Sequence, residues 1–173
     1  MADTEQNWDF TGLRAMFLNG TLKRSPEVSN TEGLIEVSAS IMRRHGVEVE
    51  VLRVIDHDIA TGVYPDMTEH GWESDEWPQI WQRVKAADIL VVAGPIWLGD
   101  NSRKTKQVIK RLYAPSSPDN EQGQDVFYGR SGGPRITRDE RAGRARQENI
   151  LQHPANPRTL LPPPAPLRGV RRC

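Results

Sequence analysis

An uninterrupted apolar run at residues 89–93, with the sequence ILVVA, restricts the folds open to this chain more than any other feature. Gly94 and Pro95 end the run. A strand with one face in water alternates apolar and polar residues. This run does not alternate, as expected where helices cover both faces of a parallel sheet. We therefore predict that residues 89–93 form a central strand of an α/β sheet.

The segments around this run alternate between strand-like and helical patterns. Mostly apolar runs predict a strand at residues 13–18 and the start of another at 126–128, and Val47, Val49, Val51, Leu52 and Val54 predict a strand at residues 47–54. Apolar residues spaced three and four apart predict helices at residues 34–42, 77–84 and 105–112. The resulting order, β-α-β-α-β-α-β, predicts a doubly wound parallel sheet in a three-layer α/β/α arrangement.

Hydroxyl and amide side chains precede two of the predicted helices, where they can accept a bond from a free helical N–H group. Asn30 or Thr31 is the expected N-cap of the first helix, and Ser74 is that of the second.

The charges divide unevenly near residue 130, although the 173-residue chain holds 23 basic and 23 acidic side chains. Residues 130–173 hold 10 arginines, 3 acidic residues, 7 of the 13 prolines and no aromatic residue. Such a segment buries too little apolar surface to offset its ordering entropy. We therefore expect an α/β domain at residues 1–130, incomplete on its C-terminal side, and a poorly ordered tail at residues 131–173.

Three interpretations of this tail remain open. It is a flexible extension, the product of an altered reading frame in GC-rich coding sequence, or an arm for nucleic acid or another anionic surface. The absence of aromatic residues for base stacking disfavours nucleic acid as a partner.

The composition excludes several classes of protein. The only cysteine is Cys173, so one chain cannot form a disulfide scaffold, a zinc ribbon or an iron–sulfur site. No other ligand spacing suggests a metal site. No stretch approaches the roughly 18 apolar residues of a membrane span, and the acidic N-terminus does not resemble a signal peptide. The expected location is the cytoplasm, with no membrane partner.

Two loops follow predicted strands at the edge where doubly wound sheets bind ligands. The first, residues 19–31, is rich in hydroxyl and amide groups and leads into a helix N-terminus, which suits a phosphate. It lacks the glycine spacing of a Walker or dinucleotide loop, so we expect a phosphomonoester held mainly by neutral donors. The alternative is a polar loop whose hydroxyls only cap the helix.

The second loop, residues 94–102, carries large apolar side chains in an unusual place. Trp97 and Leu98 lie between glycines and could form a wall beside a flat heterocycle, with backbone N–H groups meeting its polar edge. Alternatively, Trp97 packs on residues 62–67 or on a second copy of the chain.

Three stretches of this chain resemble flavodoxin-like, NAD(P)H-dependent FMN reductases. Residues 19–31 (NGTLKRSPEVSNT) resemble the FMN-phosphate loop of that family, and residues 62–67 (GVYPDM) resemble its loop after the second strand. Residues 94–100 (GPIWLGD) are similar to its isoalloxazine loop. The resemblance covers residues 11–130.

The resemblance implies a flavodoxin-like fold, bound FMN and a homo-oligomer. It also implies a hydride passed from NADPH or NADH to FMN, and electrons passed on to a quinone, a flavin or another small acceptor. The residues implied for the phosphate are Thr21, Lys23, Ser29, Asn30 and Thr31, and those implied for the ring are Pro95, Ile96, Trp97, Leu98, Gly99 and Asp100. The flavin carries the reaction, so no side chain is predicted to be catalytic. The alternatives are a non-enzymatic electron carrier and a truncated or frame-disrupted copy with impaired flavin binding.

Arg103, Lys104 and Lys106 begin the third predicted helix. They either form a solvated helix face or approach a phosphate of the nicotinamide donor.

Overall fold

The computed structural model describes residues 8–113, 123–138 and 171–172. Its strands are β1 (Trp8–Asp9), β2 (Arg14–Asn19), β3 (Glu48–Arg53), β4 (Ile89–Trp97), β5 (Asp100–Asn101), β6 (Ser131–Arg138) and β7 (Arg171–Arg172). Its α-helices are α1 (Asn30–Arg44), α2 (Trp77–Ala86) and α3 (Arg103–Tyr113). Short 3-10 turns span Val54–Asp56 and Thr68–His70. None of the described helices is long and apolar enough to cross a membrane.

The main sheet has the strand order β3-β2-β4-β6, and these four strands are parallel. Phe17 of β2 lies between Val51 of β3 and Val91 of β4 in register. The short strand β5 folds back antiparallel on the end of β4. Counted along the chain, the parallel strands follow the order 2-1-3-4 of a flavodoxin-like sheet. The predicted doubly wound α/β fold is therefore confirmed.

Helices cover both faces of the sheet, because successive side chains of a strand point to opposite faces. Phe17 and Ala93 belong to the core on the α1 side, where they join Ile35 of that helix. The opposite core contains residues of α2 and α3 packed on the other side of the same strands: Met16, Leu18, Leu90, Val92, Trp77, Ile80, Val84, Val108 and Leu112. Strand β4 is thus buried on both faces, as its apolar run predicts.

The fourth parallel strand lies at Ser131–Arg138, so the prediction of a strand beginning at residues 126–128 is wrong. Residues 126–129 form a turn. The apolar side chain of Phe127 packs into the core, where its ring lies 5.9 Å from that of Trp81 and nearly perpendicular to it. Strand β6 pairs with β4 through backbone groups, so its sequence, SGGPRITR, needs no apolar pattern.

Strand β6 lies beyond the change in composition at residue 130, so the sheet includes the first residues of the expected tail. Near the other end of that segment, β7 pairs antiparallel with β1. The remainder of the expected tail lies outside the described residues.

The helix caps differ from the predictions. Ser29 is the N-cap of α1, one residue before Asn30, and its hydroxyl accepts a bond from the N–H of Glu32 at 3.1 Å. Ser74 does not cap α2, because its hydroxyl donates to Asp58 instead. The N-cap residue of α2 is Glu76, which makes no side-chain capping bond, while the carboxylate of Asp75 accepts from the N–H of Trp77 at 3.1 Å.

Candidate functional site

The two predicted loops meet at the carboxyl ends of β2 and β4, around a cleft of about 340 Å³. The cleft is lined by Thr21, Leu22, Lys23, Ser29, Asn30, Thr31, Pro95, Trp97 and Thr137. Seven of these nine residues were predicted, five from the first loop and two from the second. Parallel strands bring the loops together, because the carboxyl ends of β2 and β4 lie side by side.

The other four predicted residues lie beside the cleft rather than along it. Ile96 is buried in the core near the end of β4. Leu98, Gly99 and Asp100 form the turn between β4 and β5, in which Trp97 pairs with Asp100. This hairpin forms a rim next to the exposed side chain of Trp97.

Hydroxyl and ammonium groups gather at one end of the cleft, where α1 begins. The Thr31 hydroxyl lies 3.0 Å from that of Thr137, and Ser29 is engaged as the helix cap. The Lys23 ammonium lies 2.9 Å from the carboxylate of Glu27 and donates to the Val28 carbonyl at 3.1 Å. Such donors beside a helix N-terminus fit a phosphomonoester. The apolar walls at the other end, Pro95 and Trp97, fit a flat ring.

Arg53 ties the first loop to the sheet and was not predicted as a functional residue. Its side chain is only 8% exposed and donates to the carbonyl of Glu27 at 2.9 Å and to that of Lys23 at 3.4 Å. It also forms an ion pair with Glu32 in the first turn of α1. The available signal was an arginine that ends a strand directly after two apolar residues, Val51 and Leu52.

Two glycines allow α3 to approach the sheet closely beneath the cleft. A Cβ on either Gly20 or Gly94 would overlap the hydroxyl of Thr105, which is fully buried. The Ser102 hydroxyl donates to the Gly20 carbonyl at 2.6 Å and accepts from the N–H of Thr105 at 3.1 Å. The start of α3 is therefore fixed against the ends of β2 and β4.

The turn of the rim hairpin places a bulky side chain in a left-handed conformation. Leu98 has φ of 48°, Gly99 has φ of 75°, and the Leu98 side chain is fully exposed. Positive φ at both central residues is typical of a type I′ hairpin turn, which favours Asn-Gly. Leucine is strained in this position because its Cβ crowds the backbone.

We expect Leu98→Asn to stabilise the protein by about 1 kcal/mol, because asparagine tolerates the left-handed conformation and little buried surface is lost. Thermal or urea unfolding of the protein without ligand measures the change. Leu98→Ala is the matched control and should stay near the parent stability, since alanine retains the Cβ. A destabilised Leu98→Asn variant would contradict the assignment of strain to this turn.

A buried ion pair holds the loop between residues 60 and 75. Asp75 and Arg111 are both 0% exposed, and their side chains meet at 2.5 Å. The Asp75 carboxylate also accepts from the N–H groups of Ala60 and Met67, and Arg111 donates to the Pro65 carbonyl. Burial lowers the pKa of Arg111, while Asp75 raises it. The acidic stretch around Asp75 in the sequence did not distinguish this carboxylate from exposed ones.

His57 lies in a loop beside a carboxylate rather than in a metal site. Its Nδ1 is 2.7 Å from the carboxylate of Glu76. Hydrogen bonds from the Asp58 N–H and from His57 lower the pKa of Glu76. Within the described part of the chain, no group of three or more His, Cys, Asp or Glu residues could hold a metal ion.

The sequence matches a family model and two curated proteins. The model, described as NADPH-dependent FMN reductase, matches residues 13–164. A divalent metal cation transporter, MntH of Mycobacterium bovis, is 58% identical over 156 residues, which are 90% of this chain and 23% of that protein. An 8-demethyl-8-aminoriboflavin-5'-phosphate synthase of Streptomyces davaonensis is 35% identical over 126 residues, which are 70% of this chain and 49% of that protein.

The matched part of the chain therefore spans just under a quarter of the first relative and about half of the second. The family match runs past the change in composition at residue 130. The transporter match covers 90% of this chain, so it also extends into the segment from 131 to 173.

Solved structures show the same fold. RosB with a bound intermediate, 8-demethyl-8-formylriboflavin-5'-phosphate, superposes with a TM-score of 0.73 at 32% identity. That match covers 81% of this chain and 57% of RosB. The apo form of an NADH:FMN oxidoreductase has a TM-score of 0.52 at 21% identity, covering 81% of this chain and 64% of that one. This second likeness concerns the fold alone.

Proposed function

Because this chain belongs to the NADPH-dependent FMN reductase family, we propose that it binds FMN in the cleft between the loops after β2 and β4. There it would pass electrons from a nicotinamide donor to a small acceptor such as a quinone or a flavin. The observation that carries the proposal is that seven predicted residues, from loops far apart in sequence, line one cleft. The MntH match covers 23% of that protein, so its name does not describe this segment by itself.

The residues at the α1 end of the cleft would hold the phosphate. Thr21, Asn30 and Thr31 supply neutral donors, and the helix N-terminus favours a negative charge. Lys23 adds a positive charge and forms an ion pair with Glu27 at 2.9 Å. A phosphomonoester would compete with the Glu27 carboxylate for the Lys23 ammonium, and the exposed ion pair that it would replace contributes little stability.

The apolar end of the cleft would hold the isoalloxazine ring. Pro95 and Trp97 form its walls, and Leu98 to Asp100 form a rim that limits access of water. Bound FMN supplies hydride acceptance from the donor and electron transfer to the acceptor. The protein contributes binding, orientation and shielding, and we assign no side chain a catalytic role.

An FMN titration of the purified chain, followed by flavin fluorescence, tests the proposal. We expect saturable binding, and we expect Thr31→Val to raise the Kd about tenfold, because a hydroxyl donor to the phosphate is lost without a change in shape. Ser40→Ala removes a hydroxyl from the same helix outside the cleft and is the matched control. A folded chain that does not bind FMN would overturn the proposal.

Arg53→Met is expected to weaken FMN binding about tenfold, although Arg53 does not line the cleft. The reason is positional, since Arg53 holds the carbonyls of Lys23 and Glu27 in the phosphate loop. Titration measures the Kd, and hydrogen exchange of residues 21–29 should increase in the variant. Arg14→Met, at an exposed ion pair with Glu48, is the control. Unchanged exchange in the loop would contradict this role.

A second candidate is an enzyme for which riboflavin-5'-phosphate is a substrate rather than a cofactor. It is favoured by the Streptomyces davaonensis relative, whose name describes synthesis of an aminoriboflavin phosphate. Mass spectrometry of the flavin after incubation with an amino donor under air, and separately with NADPH, tests the two candidates. A synthase changes the mass of the flavin when the amino donor is present, whereas a reductase leaves the mass of the re-oxidised flavin unchanged. Flavin that binds but is not bleached by NADPH or NADH would favour the electron-carrier alternative.

A further inference from the structure

One side of the domain, formed by α3 and the neighbouring loops, carries an excess of positive charge. Five basic side chains there line one wall of a cavity of about 630 Å³: Arg24, Arg103, Lys104, Lys106 and Lys110. Residues 103–111 hold five basic and no acidic side chains, whereas residues 8–102 hold 8 basic and 15 acidic ones. The positive charge is therefore local, and we call these five lining residues the basic face.

Most cations of the basic face have no partner within the described part of the chain. Lys106 forms an ion pair with Asp100 of the rim hairpin. The side chains of Arg24, Arg103, Lys104 and Lys110 form no ion pair or hydrogen bond with any described residue. By contrast, five basic residues elsewhere in the domain each pair with a glutamate: Arg14, Lys23, Arg43, Arg53 and Arg83.

The arrangement of the cations opposes the stability of α3. Its first turn has no acidic residue and begins with Arg103 and Lys104, although the positive end of a helix dipole disfavours cations. Lys106 and Lys110 are four residues apart on the helix, a spacing at which like charges repel. Burial and the neighbouring Arg103 lower the pKa of Lys104, as does Arg24, while Asp58 raises it. Carboxylates supplied from outside the domain would relieve these unfavourable interactions.

Two exposed apolar side chains of the rim hairpin lie next to the basic face. Asp100, the partner of Lys106, pairs with Trp97 across the hairpin. The Trp97 side chain is 50% exposed, and Leu98 is fully exposed in its strained left-handed turn. Leu98 therefore adds little buried surface to the fold, and its strain opposes stability. An aromatic anchor inside a charged rim is typical of a protein interface.

The extent of the basic face and the charges opposite it indicate which kind of ligand fits. Arg103 and Lys110 are seven residues apart, about 10 Å along the helix axis, so one small anion cannot contact the whole face. The carboxylates of Asp56, Asp58 and Glu76 line the opposite wall of the cavity, which disfavours the closely spaced phosphates of a nucleic acid. A protein surface can instead place its carboxylates only where the cations lie.

We propose that the basic face and the tip of the rim hairpin form a docking surface for a partner protein whose own interface has an apolar centre surrounded by carboxylates. The partner's carboxylates would pair with the cations of α3, and its apolar centre would cover Trp97 and Leu98. Complementary charge would also steer the partner toward this side of an otherwise acidic domain. The inference goes beyond the proposed function, and docking requires no bound flavin.

A synthetic peptide with glutamates on both sides of a Leu-Trp-Leu centre is the probe of this surface. Fluorescence anisotropy of the labelled peptide measures its Kd for the chain without FMN. We expect it to bind about tenfold more tightly than the same peptide with glutamines, and we expect Lys104→Gln/Lys110→Gln to abolish that difference. Lys85→Gln/Arg44→Gln removes the same charge away from the cavity and should bind as the parent does. Equal affinity of the parent and the Lys104→Gln/Lys110→Gln variant for the glutamate peptide would overturn the proposal.

Leu98→Asn separates docking from stability. The substitution relieves the strained turn and is expected to raise stability, yet to weaken binding of the glutamate peptide about fivefold because apolar contact area is lost. A loss of affinity together with a gain in stability cannot result from unfolding. Affinity equal to that of the parent would overturn the assignment of Leu98 to the docking surface.

Two other occupants of the surface give different results. If a second copy of the chain occupied it, sedimentation of the chain alone would show a dimer that dissociates in the Lys104→Gln/Lys110→Gln variant. If a nucleic acid occupied it, single-stranded DNA would bind more tightly than the glutamate peptide, with a steep dependence on salt. Either result would overturn the proposal.

Discussion

Asp75→Asn is expected to destabilise the domain by about 3 kcal/mol, because it leaves the buried guanidinium of Arg111 without its charged partner. Arg111 is 0% exposed, and its Nε and Nη1 find no hydrogen-bond partner in the described structure. The group is compensated by Asp75, by the Pro65 carbonyl and by the ring of Trp77, whose centroid lies 5.6 Å from the guanidinium carbon, and Asp75 supplies the opposite charge. Urea unfolding measures the loss, seen as a lower midpoint with an unchanged slope.

The control for this substitution is Glu69→Gln, which removes one carboxylate charge from an exposed position six residues before Asp75. It should change the free energy of unfolding by less than about 0.5 kcal/mol. The Asp75→Asn variant should also show faster hydrogen exchange at Ala60 and Met67, whose N–H groups donate hydrogen bonds to the Asp75 carboxylate. A loss below about 1 kcal/mol would mean that Arg111 is compensated by other groups.

Gly94→Ala is expected to destabilise the protein by about 3 kcal/mol, because the new Cβ would overlap the buried hydroxyl of Thr105. The Thr105 side chain is short and is held by Ser102, so it cannot move aside without breaking that hydrogen bond. Affinity for FMN should fall with the stability, since Pro95 of the cleft directly follows Gly94.

A double-mutant cycle with Thr105→Ala provides the control for this packing argument. Thr105→Ala alone removes a buried hydroxyl and should cost about 1 kcal/mol. In the Gly94→Ala/Thr105→Ala variant the overlap with the hydroxyl is gone, so its total loss should be smaller than the sum of the single losses. Additive losses would show that the overlap with Thr105 is not the source of the instability. Differential scanning calorimetry of all three variants provides the comparison.

The element order and the location of the cleft follow from local sequence patterns. The apolar run at residues 89–93 predicts a strand buried on both faces, and β4 is such a strand. The amphipathic spacing of Trp77, Ile80 and Val84 likewise predicts α2. Parallel pairing then brings the loops after β2 and β4 together, because ligands bind at this edge of doubly wound sheets.

Strand β6 could not be predicted from its own residues. Its sequence, SGGPRITR, lacks apolar periodicity, and its strand conformation depends on backbone pairing with β4. The nearby apolar residues, Val126 and Phe127, belong to a turn that packs into the core. An apolar pair predicts burial, but it does not by itself distinguish a strand from a packed turn.

The sequence by itself determined the α/β fold through its periodicity, and its resemblance to FMN reductases indicated seven residues that line the cleft. Only the tertiary structure decided how Arg53 holds the phosphate loop, how Asp75 pairs with Arg111, and how Thr105 requires glycine across from it. Each of these depends on groups that are distant along the chain and meet after folding. In the buried interior, water cannot solvate an unpaired charge. Close packing also leaves no room for an added methyl group, so a substitution at any of these contacts is costly.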